Sequence, residues 1–91
     1  MKICILDGEK IEDNRMLHDT LASSLDFPQW YGRNLDALFD CLTDIGESVH
    51  IRILHENAME EHLGRSYAIS LANVICRAAE ANPEISWEIE P

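Results

Sequence analysis

Apolar residues recur along this chain in two rhythms, one of period two and one of period 3.6, and the rhythm changes several times between the ends. From Lys2 to Leu6 the pattern alternates, with Ile3 and Ile5 on one side and Lys2, Cys4 and Leu6 on the other, and this predicts a strand that Asp7-Gly8 ends. After Ile11, Leu17, Leu21 and Leu25 fall at i, i+4 and i+8; this predicts a helix that begins near Asp13, a capping residue, and finishes before Pro28. Leu35, Leu38, Phe39 and Leu42 then share one face of a second helix, with Asn34 as its N-cap. Ser48 to Leu54 alternates again, with Val49, Ile51 and Ile53 opposite His50 and Arg52. A short helix over 57–63 stops at Gly64. A longer one over 66–81 carries Tyr67, Leu71, Val74, Ile75 and Ala78 at helical spacing, and Asn82-Pro83 closes it. Ile85, Trp87 and Ile89 alternate with Ser86, Glu88 and Glu90 as a third strand.

Each strand is apolar on one side and largely polar on the other, so helices are expected on one face of the sheet only. Helical segments separate every pair of strands, which favours parallel pairing. The predicted fold is a two-layer α/β domain: a three-stranded parallel sheet with about four helices packed on one face, filling residues 1–91 as a single domain. On the open face, Lys2 and Arg52 are placed to meet Glu88 and Glu90 across strands. Trp87 is expected in the core.

Charge narrows the range of partners. Seventeen acids against seven Lys and Arg leave a formal net charge of -10, which repels nucleic acid and anionic membranes. No apolar run approaches the roughly 18 residues of a membrane span, and nothing resembles a signal peptide, so a cytoplasmic protein that is monomeric when free is expected. Cys4, Cys41 and Cys76 are odd in number and lack CxxC spacing; they read as reduced, packed thiols. The sequence holds no phosphate loop, dinucleotide fingerprint, nucleophile elbow or HExxH motif. Spacing alone does not gather His18, His50, His55 and His62 with Asp36 or Asp40 into a metal or acid-base site, so neither enzyme chemistry nor a cofactor is expected.

The informative stretch is 27–42. Pro28 fixes its own backbone and Gly32 permits a turn that a side chain would obstruct, so Trp30 and Tyr31 sit on a constrained loop. Past it, Asp36, Asp40 and Asp44 cluster on the helix face opposite the leucines. An acidic row ending in rigid aromatics supplies both charge and area for binding a protein, although acids on a helix face are ordinarily just solvated.

This run, Trp-Tyr-Gly-Arg-Asn-Leu-Asp-Ala-Leu-Phe-Asp-Cys-Leu from Trp30 to Leu42, resembles the barstar family without a gap. The family pattern is Tyr-Tyr-Gly-x-Asn-Leu-Asp-Ala-Leu-Trp-Asp-Cys-Leu. The likeness extends upstream in register through Leu17-His18-Asp19-Thr20-Leu21 to Asp7-Gly8-Glu9, and beyond Thr43 it weakens to a shared order of elements.

The resemblance implies an intracellular protein inhibitor of a small, basic, secreted ribonuclease, and hence a role in immunity to a toxin. Asp40 would enter the enzyme's cationic active site and Asp36 would pair with a neighbouring basic group. Trp30 would stack where the family has a Tyr, Gly32 and Asn34 would shape the loop contact beside Tyr31, and Phe39 would stand in for a Trp. Three departures matter: Arg33 where the family has an acid, Asp44-Ile45 for a Gly-Trp pair, and Arg77 where the family uses a glutamate, with Glu80 one turn later as a candidate to replace it. The alternative function is a barstar-like module that binds another basic protein or toxin without inhibiting a ribonuclease.

Overall fold

In the computed structural model, which describes Met1–Pro91, seven elements follow one another. They are β1 (Lys2–Asp7), α1 (Asn14–Leu25), α2 (Leu35–Thr43), β2 (Val49–Leu54), α3 (Glu56–Leu63), α4 (Arg65–Ala81) and β3 (Ile85–Ile89). The sheet is wholly parallel with order β1-β2-β3, as the alternation of strand and helix requires. Cys4 is paired with Ile51, and Ile51 in turn with Trp87.

The helices cover the face on which Cys4, Leu6, Val49, Ile51, Ile53 and Ile85 are buried. Leu17 and Leu21 of α1, Leu38 and Leu42 of α2, Met59 of α3, and Leu71 and Ile75 of α4 close the core from above. Helix α4 buries Ala68, Leu71, Ile75 and Ala78 and leaves Tyr67 and Val74 half-buried, a face turned slightly from the expected one. The other sheet face is open: Ile3 and Ile5 are 58% and 46% exposed, unusual for an all-parallel sheet. Trp87 is only half-buried, because β3 is an edge strand.

One expected cross-strand contact is replaced. Arg52 meets both acids, with its Nε 2.6 Å from Glu88 and its Nη2 donating to Glu90 at 2.7 Å. Lys2 instead binds Asp26 and Glu47. It shares the parity of Cys4 and Leu6 and so leaves the sheet on the helix side, and β2 separates it from β3.

Two local features hold the elements in place. Asp13 caps α1 by accepting from the Met16 amide, and α1 ends on Asp26 in the left-handed conformation. At the end of β1, Gly8 donates to the Leu54 carbonyl and lies so close to α3 that a Cβ there would be 2.2 Å from the His55 oxygen and 2.7 Å from the Met59 nitrogen.

Candidate protein-binding site

Helix α2 begins where the sequence places it. Asn34 accepts from the Ala37 amide at 2.8 Å through Oδ1 and donates to the Gly32 carbonyl at 3.2 Å through Nδ2, so one side chain fixes both the helix start and the loop before it. At Gly32 the approach is close: a Cβ would stand 3.2 Å from that of Ala37, a tight contact against the first turn of α2. The left-handed residue of the loop is its neighbour Arg33, at φ 51°.

The two aromatics of the loop separate. Trp30 is 81% exposed. Tyr31, expected to meet a partner, is 4% exposed and belongs to the core, its ring against Phe27 at 4.9 Å. Its hydroxyl lies 2.7 Å from Nδ1 of His18, whose Nε2 is 2.8 Å from the hydroxyl of Tyr67 on α4. His18, at 1% exposure, thus joins α1, the loop and α4. Tyr31 thereby anchors the loop from which the exposed Trp30 projects. His18 carried no sequence signal for this role, because a histidine one residue beyond a leucine stripe is ordinarily a surface residue.

This anchor carries a pH dependence. Burial, and then the charge of Arg33, lower the His18 pKa from 6.5 despite the opposing influence of Asp19. The unfolded imidazole takes up its proton near 6.5 and the folded one only at lower pH, so stability is intact above about 6.5 and is lost as pH falls from there toward the folded value. Urea unfolding at about pH 7.5 and about pH 5.5 should show a larger acid-side loss in the parent than in His18→Gln, which cannot titrate. Equal losses would rule out the assignment.

Asp36, Asp40 and Asp44 all project into solvent, and no Lys, Arg or His lies within ion-pair distance of any of them. They rise along the helix about 6 Å apart. Of the hollows along the row, two meet at its middle. One, about 140 Å³, lies between Trp30 and α2 and is lined by Asp40, Cys41 and Asp44. The other, about 250 Å³, lies between α2 and α4 and is lined by Asp36, Phe39, Asp40 and Arg77. Asp40 borders both. Cys41, in the first of them, is half-buried, and burial followed by the charges of Asp40 and Asp44 pushes its thiol pKa up, so it stays protonated.

The C-terminal end of α2 carries Asp44 against the helix dipole and has no basic residue in its last turn. What secures that end is Asn82, buried in the turn after α4, whose Nδ2 donates to the carbonyls of Leu42 and Ile45 at 3.0 and 2.9 Å. The sequence identified Asn82 only as a helix terminator. Phe39 is half-buried, with the Arg77 guanidinium 5.7 Å above its ring. Glu80 stays outside both hollows, its carboxylate accepting from the Cys76 thiol at 3.5 Å, so Arg77 and not Glu80 reaches the acidic row. Arg33 turns away and its Nε donates to Asp19 at 2.8 Å, which neutralises the cation that departs from the family pattern.

The histidines find other surroundings. His62 donates from Nδ1 toward the Gly8 and Ile11 carbonyls, and His50 lies on the open sheet face against Ser86 and Glu88. His55 lies near Asp7 and Glu9, their ligand atoms within 4.8 Å of one another, at the far end of β1 from the acidic row. None of them borders Asp40.

A family model described as Barstar (barnase inhibitor) matches residues 1–88. The chain belongs to the barstar family. It is also 41% identical, over 80 residues and 88% of each chain, to the Bacillus subtilis (strain 168) protein named "Putative ribonuclease inhibitor YrdF". For a barstar-family chain, the sheet, the capped acidic helix and the aromatic loop form one construction: α1 and α4 hold Tyr31 through His18, the turn after α4 holds the end of α2, and Trp30 and Asp40 are left facing outward.

Proposed function

We propose that this chain inhibits a small basic ribonuclease of the secreted type by laying α2 and the Trp30 loop across its active site, and so protects the cell that makes it from within the cytoplasm. Family membership supports the class of activity. The observation that carries the mode is Asp40: an unpaired carboxylate midway along a rigid helix, with a hollow on each side and an exposed tryptophan at the edge of one of them.

A ribonuclease must hold cations where the scissile phosphate sits, since phosphate contacts dominate its affinity for RNA. A helix-borne carboxylate is a fair substitute for that phosphate, because it accepts the same charge-assisted hydrogen bonds from Arg, Lys or protonated His. Asp36 serves a second basic group one turn away, and Trp30 offers a broad face for stacking at low entropic cost. No bond is made or broken, and RNA is kept out by occupancy alone. The net charge of -10 draws a basic enzyme in from a distance.

The test is inhibition of barnase, a small guanyl-specific ribonuclease, by the purified protein at low and high salt. Inhibition should be stoichiometric at low salt, and the association rate should fall about tenfold or more as salt screens the approach. The reading is overturned if the folded protein leaves the enzyme fully active at both ionic strengths and still does so once the one cation beside the acidic row, Arg77, is replaced by an acid.

A further inference from the structure

Arg77 is the only cation lining either hollow beside Asp40. Its position is defined, with the guanidinium 5.7 Å over the Phe39 ring at the rim of a space it shares with Asp36 and Asp40. No carboxylate lies within ion-pair distance of it, although Asp36 and Asp40 border the same hollow. Phe39 occupies one face of the guanidinium and leaves its N–H edges for whatever covers the hollow. A planar fork already held against a ring loses little freedom on binding and suits a carboxylate in two-point contact. A surface adapted only to a uniformly basic partner would have no use for a cation there.

We propose that Arg77 sets the partner specificity of this chain: it accepts an enzyme with an acidic side chain opposite α4 and disfavours one that is basic across the whole contact. This rests on the ribonuclease-inhibitor reading and refines it. The chain then offers a bipolar surface, carboxylates along α2 and one guanidinium on α4, and its enzyme presents the reverse, phosphate-binding cations with a carboxylate to one side. Discrimination comes from repulsion as much as attraction, since a cation of a wrong enzyme would meet Arg77 at the rim, where screening is incomplete.

The experiment measures the affinity of barnase for the parent, Arg77→Glu and Arg77→Met, with Asp40→Ala as a reference. Methionine keeps an unbranched apolar cover on Phe39 while removing the charge. Barnase serves as a generic basic enzyme, and against it Arg77→Glu should bind about tenfold or more tighter than the parent, with Arg77→Met between the two. Inhibition by Arg77→Glu where the parent shows none supports the proposal equally. If Arg77→Glu and Arg77→Met bind no tighter than the parent while Asp40→Ala loses binding, Arg77 merely covers Phe39, and the specificity proposal falls while the inhibitor reading stands. If neither the parent nor any Arg77 variant binds, both fall together.

Discussion

Asp40→Ala should weaken ribonuclease binding by about 3–5 kcal/mol, the range in which removing one member of a buried charge pair leaves the other uncompensated. That corresponds to roughly two to four orders of magnitude in Kd. In the free protein Asp40 is hydrated and unpaired, so alanine costs the inhibitor itself nothing. In the complex the enzyme's cations lose both water and counter-charge. The same substitution removes two like-charge contacts four residues apart, with Asp36 and with Asp44, each worth a few tenths of a kcal/mol. Thermal stability should therefore hold or rise slightly while inhibition collapses, the signature of a residue retained for function at some cost to the fold. Glu61→Ala, which removes a surface acid of α3, should leave both unchanged. Inhibition constants and melting curves on the three proteins decide the matter, and unaltered inhibition by Asp40→Ala would remove this carboxylate from the contact.

The largest effect on stability is expected at Gly8. A methyl group there would lie 2.2 Å from the His55 oxygen, 2.7 Å from the Met59 nitrogen and 2.9 Å from the Met59 Cβ. The first two are backbone atoms and cannot rotate aside. Relief requires moving the start of α3 away from the end of β1, against the Gly8–Leu54 hydrogen bond and the contact from His62 to the Gly8 carbonyl. Gly8→Ala should cost about 3 kcal/mol, at the upper end for overpacking, and lower the melting temperature by about 15 °C in a domain of this size. Gly46→Ala is the matched control, because nothing lies within 4 Å of its Cβ and its φ is not left-handed. A small change of either sign is expected there. A Gly8→Ala protein as stable as Gly46→Ala would mean that the β1 and α3 contact is looser than described.

How much of this was legible in the sequence follows from the range of the interactions involved. Caps and periodicities act over a few residues, so Asp13, Asn34 and the stripes Leu17-Leu21-Leu25 and Leu38-Leu42 announced their helices to within a residue or two. Alternation likewise gave the strands, and the helices between them gave parallel pairing. The acidic row was visible because it is a helical repeat, and its importance because of the family likeness around it.

The connections across the fold were not legible. Whether Tyr31 faces solvent or core depends on a histidine 13 residues upstream and a tyrosine 36 residues downstream. That Asn82 holds the end of α2 depends on where α4 happens to finish. Lys2 meets acids other than those expected because which face of β1 turns to the helices is a tertiary fact: Cys4 and Leu6, not Ile3 and Ile5, go inward and Lys2 goes with them. Arg33 and Arg77 looked alike as departures from the family pattern, but the structure separates them: one is neutralised by Asp19, the other stands free at the rim.

The tie from Asn82 to α2 has a consequence for how the protein is made. Translation delivers Trp30 and the three aspartates well before the residues that secure them, Tyr67 and Asn82. Strand β1 finds no partner until β2 has left the ribosome, and α2 has no surface to lie on until α4 follows. A nascent chain that has passed Asp44 but not reached residue 82 carries Trp30 and the acidic row and lacks the clamp on the end of α2. The acidic helix therefore cannot be locked in place until residue 82 has been made, some 38 residues after its last aspartate.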